Sequence, residues 1–343
     1  MKKEVTITFE TITPLWTGDA WQDNREIRPS SLIGSLRFWF AFYWKIVKEG
    51  TTEKLNEKGI PMENLAELEN SKKNRTFRII LKEKIKEVNN FDEAIDKTLD
   101  ELGLSVPSRI FGCTGWKSRI KIEIEDFKGE DIEFNRLEFK FPLNKLQQNS
   151  NQLSTKFWIK RILFKDDDSK PLKLFLFKDI KVKLTTSNYW WETYLEDFFN
   201  YFKDKLILVG GKNSLGFGFV NLRMDDNSSF PSTISSVDDW LKIVPIYISY
   251  TGDKKVLGFN FKYFLRKKEK KEFREQNFGK QGKASKIYVS NLLKNRENDK
   301  SFILILLVNN PFEEFGETGI PPEVFSKYVR WLSSLNQEVR DNE

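Results

Sequence analysis

The chain has 343 residues, 39% hydrophobic and 14% aromatic, enough for a buried core in two domains and too apolar for a disordered chain. With no histidine and one cysteine, Cys113, it excludes histidine acid–base and triad catalysis, histidine or multi-thiolate metal sites, iron–sulfur clusters and internal disulfides. The net charge is +7, and residues 262–286 alone, with ten basic and three acidic side chains, hold an excess of that size. Such a block attracts polyanions.

The chain opens Met1-Lys2-Lys3-Glu4 with no apolar run behind it, which predicts no leader. The most apolar stretch, 32–47, is too short to span a bilayer, and Arg37 and Lys45 interrupt it. The expectation is a soluble protein with no membrane partner, and the lone thiol suits a reducing cytoplasm.

Residues 5–10 alternate with period two, as in a strand. Thr13-Pro14-Leu15-Trp16-Thr17-Gly18 ends it, and Ile27-Arg28-Pro29-Ser30-Ser31 opens a helix predicted to run to about Val47. Residues 48–76 are charged and turn-rich, with a short helix near 62–69. The next expectations are a strand over 76–82, a helix over 91–102 and a half-buried strand over 118–125. A hairpin across Lys128-Gly129-Glu130 would pair that strand with 132–141. Residues 172–184 read as one or two strands, and 189–202 as a helix with Asn188 as its cap. A glycine-rich turn at 210–218 leads into a strand ending near Leu222. Residues 225–236 form the best linker. Strands over 244–250, 287–290 and 302–308 and a helix over 321–335 follow. The pattern predicts an α+β fold of two ferredoxin-like (βαββαβ, RRM-like) domains with insertions, over 1–228 and 229–343, the second less complete.

No motif for nucleotide hydrolysis is present. The loop Val209-Gly210-Gly211-Lys212-Asn213-Ser214-Leu215-Gly216-Phe217-Gly218-Phe219 lacks the Gly-Lys-Ser/Thr of a P-loop and precedes a strand, not a helix. Residues 216–220 partly match the RNP1 signature, but Leu215 stands where that needs Lys or Arg, and a linker follows instead of a helix. Two readings of the loop stand: a cradle for a nucleic-acid backbone, with Gly210, Gly211, Lys212, Gly216 and Gly218, or a turn with structural glycines.

Arg25, Arg28, Ser30 and Ser31 cluster at a predicted helix start, where amides and the helix dipole favour phosphate. The alternative is that a serine caps the helix and Arg28 pairs with an acid. Residues 262–286 read as a mobile cationic loop carrying Arg266, Lys267, Lys268, Lys270, Lys271, Lys280 and Lys283, with Phe273 and Phe278 placed to stack on bases. Asp166-Asp167-Asp168 reads as a solvated turn, and Trp190-Trp191 as core.

Residues 13–40, with Thr-Pro-Leu and then Arg-Pro-Ser-Ser-Leu-Ile-Gly-Ser-Leu-Arg-Phe-Trp, resemble the RAMP superfamily of CRISPR systems. The likeness is greatest to the first-numbered subunit family of the type III-B effector, the Cmr complex. Phe111-Gly112-Cys113-Thr114-Gly115-Trp116-Lys117-Ser118 and the glycine loop resemble two further family segments, although Lys212 is the only cation of the loop here. The resemblance implies a non-catalytic subunit that binds guide RNA, target RNA or both, beside other RAMP subunits. It adds Arg37 and Lys117 to the RNA-contacting set and implies no cofactor, metal or catalytic residue. The rivals are a RAMP endoribonuclease that processes guide RNA and a general single-stranded RNA binder.

Overall fold

The computed structural model describes residues 1–17, 26–50, 71–134, 137–138, 172–203, 205–224, 241–250, 255–268, 273–274, 277–278, 285–294, 301–308 and 322–340. Arg25, Lys270, Lys271, Lys280, Lys283, Asp166-Asp167-Asp168, the expected helix at 62–69 and the linker 225–236 lie outside them.

The first unit is built on β1 (Lys2–Thr11), whose Ile7 and Phe9 point into the core while Thr6 and Thr8 point away. α1 (Pro29–Phe42) continues as a π-helical stretch, Tyr43–Lys48, and is buried through Leu32, Leu36, Trp39, Phe40, Phe42, Tyr43 and Ile46. Then come α2 (Ser71–Glu87), α3 (Phe91–Glu101), α4 (Val106–Phe111), β2 (Lys121–Phe134), β3 (Leu137–Glu138) and β4 (Leu172–Ser187). α5 is composite: Asn188–Trp190, a π-helical Trp191–Leu195, and Glu196–Phe202. β5 (Leu206–Leu208) and β6 (Phe219–Arg223) close the unit. The sheet order is β2-β4-β1-β6-β5, all neighbours antiparallel. Without β5 this is the strand order of a βαββαβ unit, β1 flanked by the third and fourth strands.

Four expectations need correction. Residues 76–82 lie in α2, not in a strand. Phe77, Ile80, Leu81 and Lys84 are half-buried at helical spacing, and the packing of that face overrides the β-branched run Ile79-Ile80. No hairpin forms at 128–130. β2 runs straight through, Gly129 pairing with Phe177 and Glu130 with Leu176. The glycine accompanies register shifts near Asp126, with Asp179 at φ 51°, so it belongs to a bulged strand pair and not to a turn. Asn188 is the first helical residue, Ser187 being the N-cap without a side-chain bond. Lastly, β5 stands between α5 and the glycine loop, which makes the loop a hairpin connection.

The second unit runs β7 (Leu241–Ile248), β8 (Lys255–Val256), α6 (Gly258–Lys268), β9 (Ile287–Val289), β10 (Leu293–Lys294), β11 (Ser301–Val308) and α7 (Pro322–Arg340). β11 pairs with β7 on one side and with β9 and β10 on the other, as one interrupted edge strand. This is a βαββα arrangement with no fourth core strand among the described residues. β8 also pairs in parallel with β3. β11 is apolar on both faces for a physical reason. Ile303, Ile305 and Leu307 join Phe261, Tyr328 and Leu332 in the second core, whereas Leu304, Leu306 and Val308, with Leu241 and Ile243 of β7, join the first. The second sheet thus packs on the first unit as well as on its own helices.

Candidate nucleic-acid interface

α1 starts where the sequence places it. Arg28 is the N-cap in extended conformation, and Pro29 fills the first helical position, where a missing amide leaves nothing unsatisfied. The N-cap is Arg28 and neither Ser30 nor Ser31, and its own side chain makes no capping hydrogen bond. Ser30 and Arg28 are exposed and Ser31 is half-buried. Pro29 has no amide proton and the Ser31 and Leu32 amides donate to the Arg28 carbonyl at 2.9 and 3.3 Å, so among the described residues the Ser30 amide and the helix dipole are left to face an anion here. Buried Ile27 and a hydrogen bond from the Thr17 hydroxyl to the Glu26 carbonyl fix this start in place.

The glycine loop packs against the same end. The Ser35 hydroxyl donates to the Ser31 carbonyl at 2.9 Å and accepts from the Gly210 amide at 2.9 Å. The Gly211 amide donates to the Trp16 carbonyl at 2.7 Å, and the Gly218 amide to the Pro14 carbonyl at 2.9 Å. The Phe219 amide donates to the Thr13 hydroxyl and the Trp39 indole to the Leu208 carbonyl, at 2.9 and 2.8 Å. Residues 13–16, α1 and the loop form one rigid assembly. Lys212, in the left-handed region at φ 59°, lies 5.8 Å from the Trp16 ring centre, and partial burial lowers its amine from the ordinary lysine range.

The glycines divide into two kinds. A Cβ on Gly210 would stand 2.4 Å from the Trp16 carbonyl oxygen, and one on Gly218 2.2 Å from that of Val209. On Gly216 it would meet Asn291 Oδ1 at 2.3 Å. These three, all at positive φ, are there because protein backbone or a bound side chain comes close. Asn291 sits in the break between β9 and β10. Its amide donates to the Gly216 carbonyl at 3.4 Å, and its Oδ1 accepts from the Gly258 amide at 3.2 Å. Sequence reasoning missed this tie between the units, since nothing local marks Asn291. Gly211 differs: its nearest such contact is an ordinary 3.7 Å. Arg28, Ser30 and Ser31 thus stand at the start of α1, the loop reaches the helix one turn on through Gly210 and Ser35, Gly211 and Lys212 lie against Trp16, and Gly216 and Gly218 are turned to other work.

Arg37, farther along α1, donates through Nη2 to the Ser108 hydroxyl at 3.1 Å and through Nη1 to the Gly112 carbonyl. It anchors the 108–118 segment to α1. There Cys113 and Trp116 exchange backbone hydrogen bonds of 2.9 Å across Thr114-Gly115, and Arg119 lies 4.1 Å from the Trp116 ring centre. Lys117 beside them is exposed.

The cationic segment is not a single loop. Lys262, Arg266, Lys267 and Lys268 belong to α6, and Phe278 is buried in the second core with Phe273 against it, so neither ring is presented for base stacking. Lys262 is 5% exposed and donates to the Ser285 hydroxyl at 2.7 Å. Burial, with a smaller push from Arg266, brings its amine down to about 7. Amphipathicity spread over a helix whose polar half is lysine and arginine looks like a loop in sequence; the apolar positions Phe261 and Leu265, four apart, were the signal. Arg266 lies about 12 Å along α6 from Gly258, at the end away from the glycine loop.

The sheet face away from the core is not a base-stacking platform. On β1 and β4 it carries Thr6, Thr8, Lys181 and Lys183. Glu4 pairs with Lys183 at 2.7 Å, and Glu10 with Arg223 at 2.8 Å. An RRM presents aromatics on these two strands. Among the described residues no group of acidic or cysteine side chains could hold a metal ion, and no helix is long and apolar enough to cross a membrane.

The family model of the RAMP superfamily matches residues 8–221, more than half of the chain and all three motifs. The chain belongs to the RAMP superfamily. The apo crystal structure of Cmr1 from Pyrococcus furiosus is similar at 12% identity and a TM-score of 0.36, covering 90% of this chain and 88% of that one. No curated protein matches. In this RAMP chain the family segments converge on α1: the glycine loop at its start, and residues 108–118 at Arg37.

Proposed function

We propose that this RAMP protein is a non-catalytic RNA-binding subunit of a guide-RNA-directed, RNA-targeting CRISPR effector of type III-B. It contacts guide or target RNA and sits beside other RAMP subunits. The observation that carries the RNA contact is the start of α1, with Arg28 and Ser30 exposed, packed through Ser35 on Gly210 of the loop that carries Lys212. A fixed helix start beside a loop cation suits a phosphate and carries no base-reading group, so little sequence preference follows. The type III-B assignment rests on the motif resemblance at 13–40 and 111–118.

Catalysis lacks support in the chain. Cleavage of RNA at a 2′-hydroxyl needs a base and an acid near neutral pH, and histidine is absent. Among the described residues the one amine brought near 7, Lys262, is buried in the second unit against Ser285 and not at the α1 start. The test is incubation of the pure protein with end-labelled repeat RNA, with and without Mg²⁺. The expected result is a retained complex with intact RNA. Products ending in a 2′,3′-cyclic phosphate that vanish on mutation of a residue in this chain would replace this reading with that of a processing nuclease.

A further inference from the structure

The outer face of α2 has no part in the site described so far. Arg75, Arg78, Lys82 and Lys86 are all exposed. They follow one another at intervals of three or four residues, so they form a single stripe along the helix. At 1.5 Å per residue the stripe is about 16 Å long. Its opposite face is fixed: Phe77 and Leu81 pack on the first core, Phe77 lying 5.8 Å from the Trp116 ring. The stripe is therefore a rigid row and not four independent side chains.

A solvated helix face ordinarily mixes its charges. The neighbouring α3 is mostly acidic, with Asp92, Glu93, Asp100 and Glu101, and pairs its one lysine, Lys97, with Glu93 at 2.8 Å. On α2 the acids lie off the stripe. Glu87 is taken up by Lys84 at 3.1 Å, as is Glu101 of α3 at 3.4 Å. Among the described residues none of the four stripe cations has an ion pair. Four unneutralised like charges in a row repel one another, and a polyanion relieves that repulsion. The core face of the helix packs on a family segment: Phe77 meets Trp116 of the 111–118 segment that Arg37 anchors to α1.

We infer that the exposed stripe Arg75–Arg78–Lys82–Lys86 of α2 is a track for the sugar–phosphate backbone of single-stranded RNA. The inference deepens the RNA-binding reading above and rests on it. The occupant is RNA, because four cations in one row with no ion pair among the described residues match a polyanion; Ile79 and Ile85 beside the row are exposed, at 53% and 46%, so a lipid surface is the rival that the vesicle arm of the test separates.

The test uses the full chain and a fluorescein-labelled oligouridylate, titrated by anisotropy at several salt concentrations. The variant is Arg75→Gln, Arg78→Gln, Lys82→Gln and Lys86→Gln together, since glutamine keeps helix propensity. The salt slope of log K should flatten by about 1.4–2.8, the release from two to four phosphates at 0.7 each. A second readout needs no variant: RNA should protect Lys82 and Lys86, but not Lys97, from acetylation mapped by mass spectrometry. A parent that binds RNA, with an unchanged slope in the variant and no protection, overturns the track and leaves the α1 site standing. A parent that binds no RNA at low salt overturns both. Binding of the stripe to phosphatidylserine vesicles, with RNA binding untouched by the four substitutions, would overturn it in favour of a lipid surface.

Discussion

Gly210 and Gly211 are neighbours in one loop, and the structure predicts opposite responses to the same substitution. An added methyl at Gly210 would meet the Trp16 carbonyl oxygen at 2.4 Å with the backbone at φ 76°. A non-glycine residue in that region costs about 1–2 kcal/mol, and overpacking against backbone about 1–3 kcal/mol more. Any shift that relieves the clash also strains the Gly210–Ser35 and Gly211–Trp16 hydrogen bonds. Gly210→Ala should therefore destabilise by about 3–5 kcal/mol. Gly211→Ala adds a methyl at ordinary contact distance, 3.7 Å, and without positive φ. It should change stability by less than about 0.5 kcal/mol, or raise it slightly by restricting the unfolded chain. The assay is guanidinium unfolding, compared by midpoint at constant slope. Equal midpoints for the two variants would refute the packing account of Gly210 and return that glycine to a ligand-binding role.

Other consequences follow from buried charge. Arg109 pairs with Asp96 at 2.9 Å, both largely buried, and Asp96 also accepts from Tyr189 and Tyr194 of α5. Arg109→Ala should cost about 3–5 kcal/mol, and adding Asp96→Asn should recover part of it in thermal unfolding, because the lone buried carboxylate is removed. Lys262 has a folded pKa brought down to about 7 from 10.5 by burial. Between those values the unfolded chain binds the extra proton, so stability rises with pH across about 7–10.5, by up to roughly 1.4 kcal/mol per unit. Lys262→Met should flatten that rise, and a parallel pH profile for the variant would show that the amine is solvated. Gly216→Ala, driven into Asn291, should loosen the contact between the glycine loop and the second unit, seen as faster amide exchange at Asn291; unchanged exchange would contradict that contact.

Much of the fold was legible because its elements announce a period. Alternation marked β1, and the continuous run 302–308 marked a strand; the run has no polar face because both of its faces meet a core. α1 was readable from Pro29 and an all-round apolar helix. α2 was not, since Ile79-Ile80 imitates a strand and only the distant partner Trp116 shows which residues turn inward. Gly129 imitated a turn because a bulge and a hairpin draw on the same residue. At the site, sequence reasoning found the α1 start and the loop but not the division among the glycines. That depends on Trp16, Val209 and Asn291 approaching from other parts of the chain. It also gave all of 262–286 to solvent, whereas Lys262 and Phe278 are core.

The central claim is that RNA is held at the start of α1. The most direct measurement is a salt titration of single-stranded RNA binding by the parent and by Arg28→Ala, after circular dichroism shows both folded. The parent should bind with a slope of about −2 to −3.5, three to five phosphates at 0.7 each. Arg28→Ala should lose about 1.5–3 kcal/mol at low salt, the range for a hydrogen bond to a charged group, and, since Arg28 is exposed, flatten the slope by about 0.7, one phosphate. Binding by Arg28→Ala equal to that of the parent at every salt concentration would contradict the claim and move the RNA path away from α1.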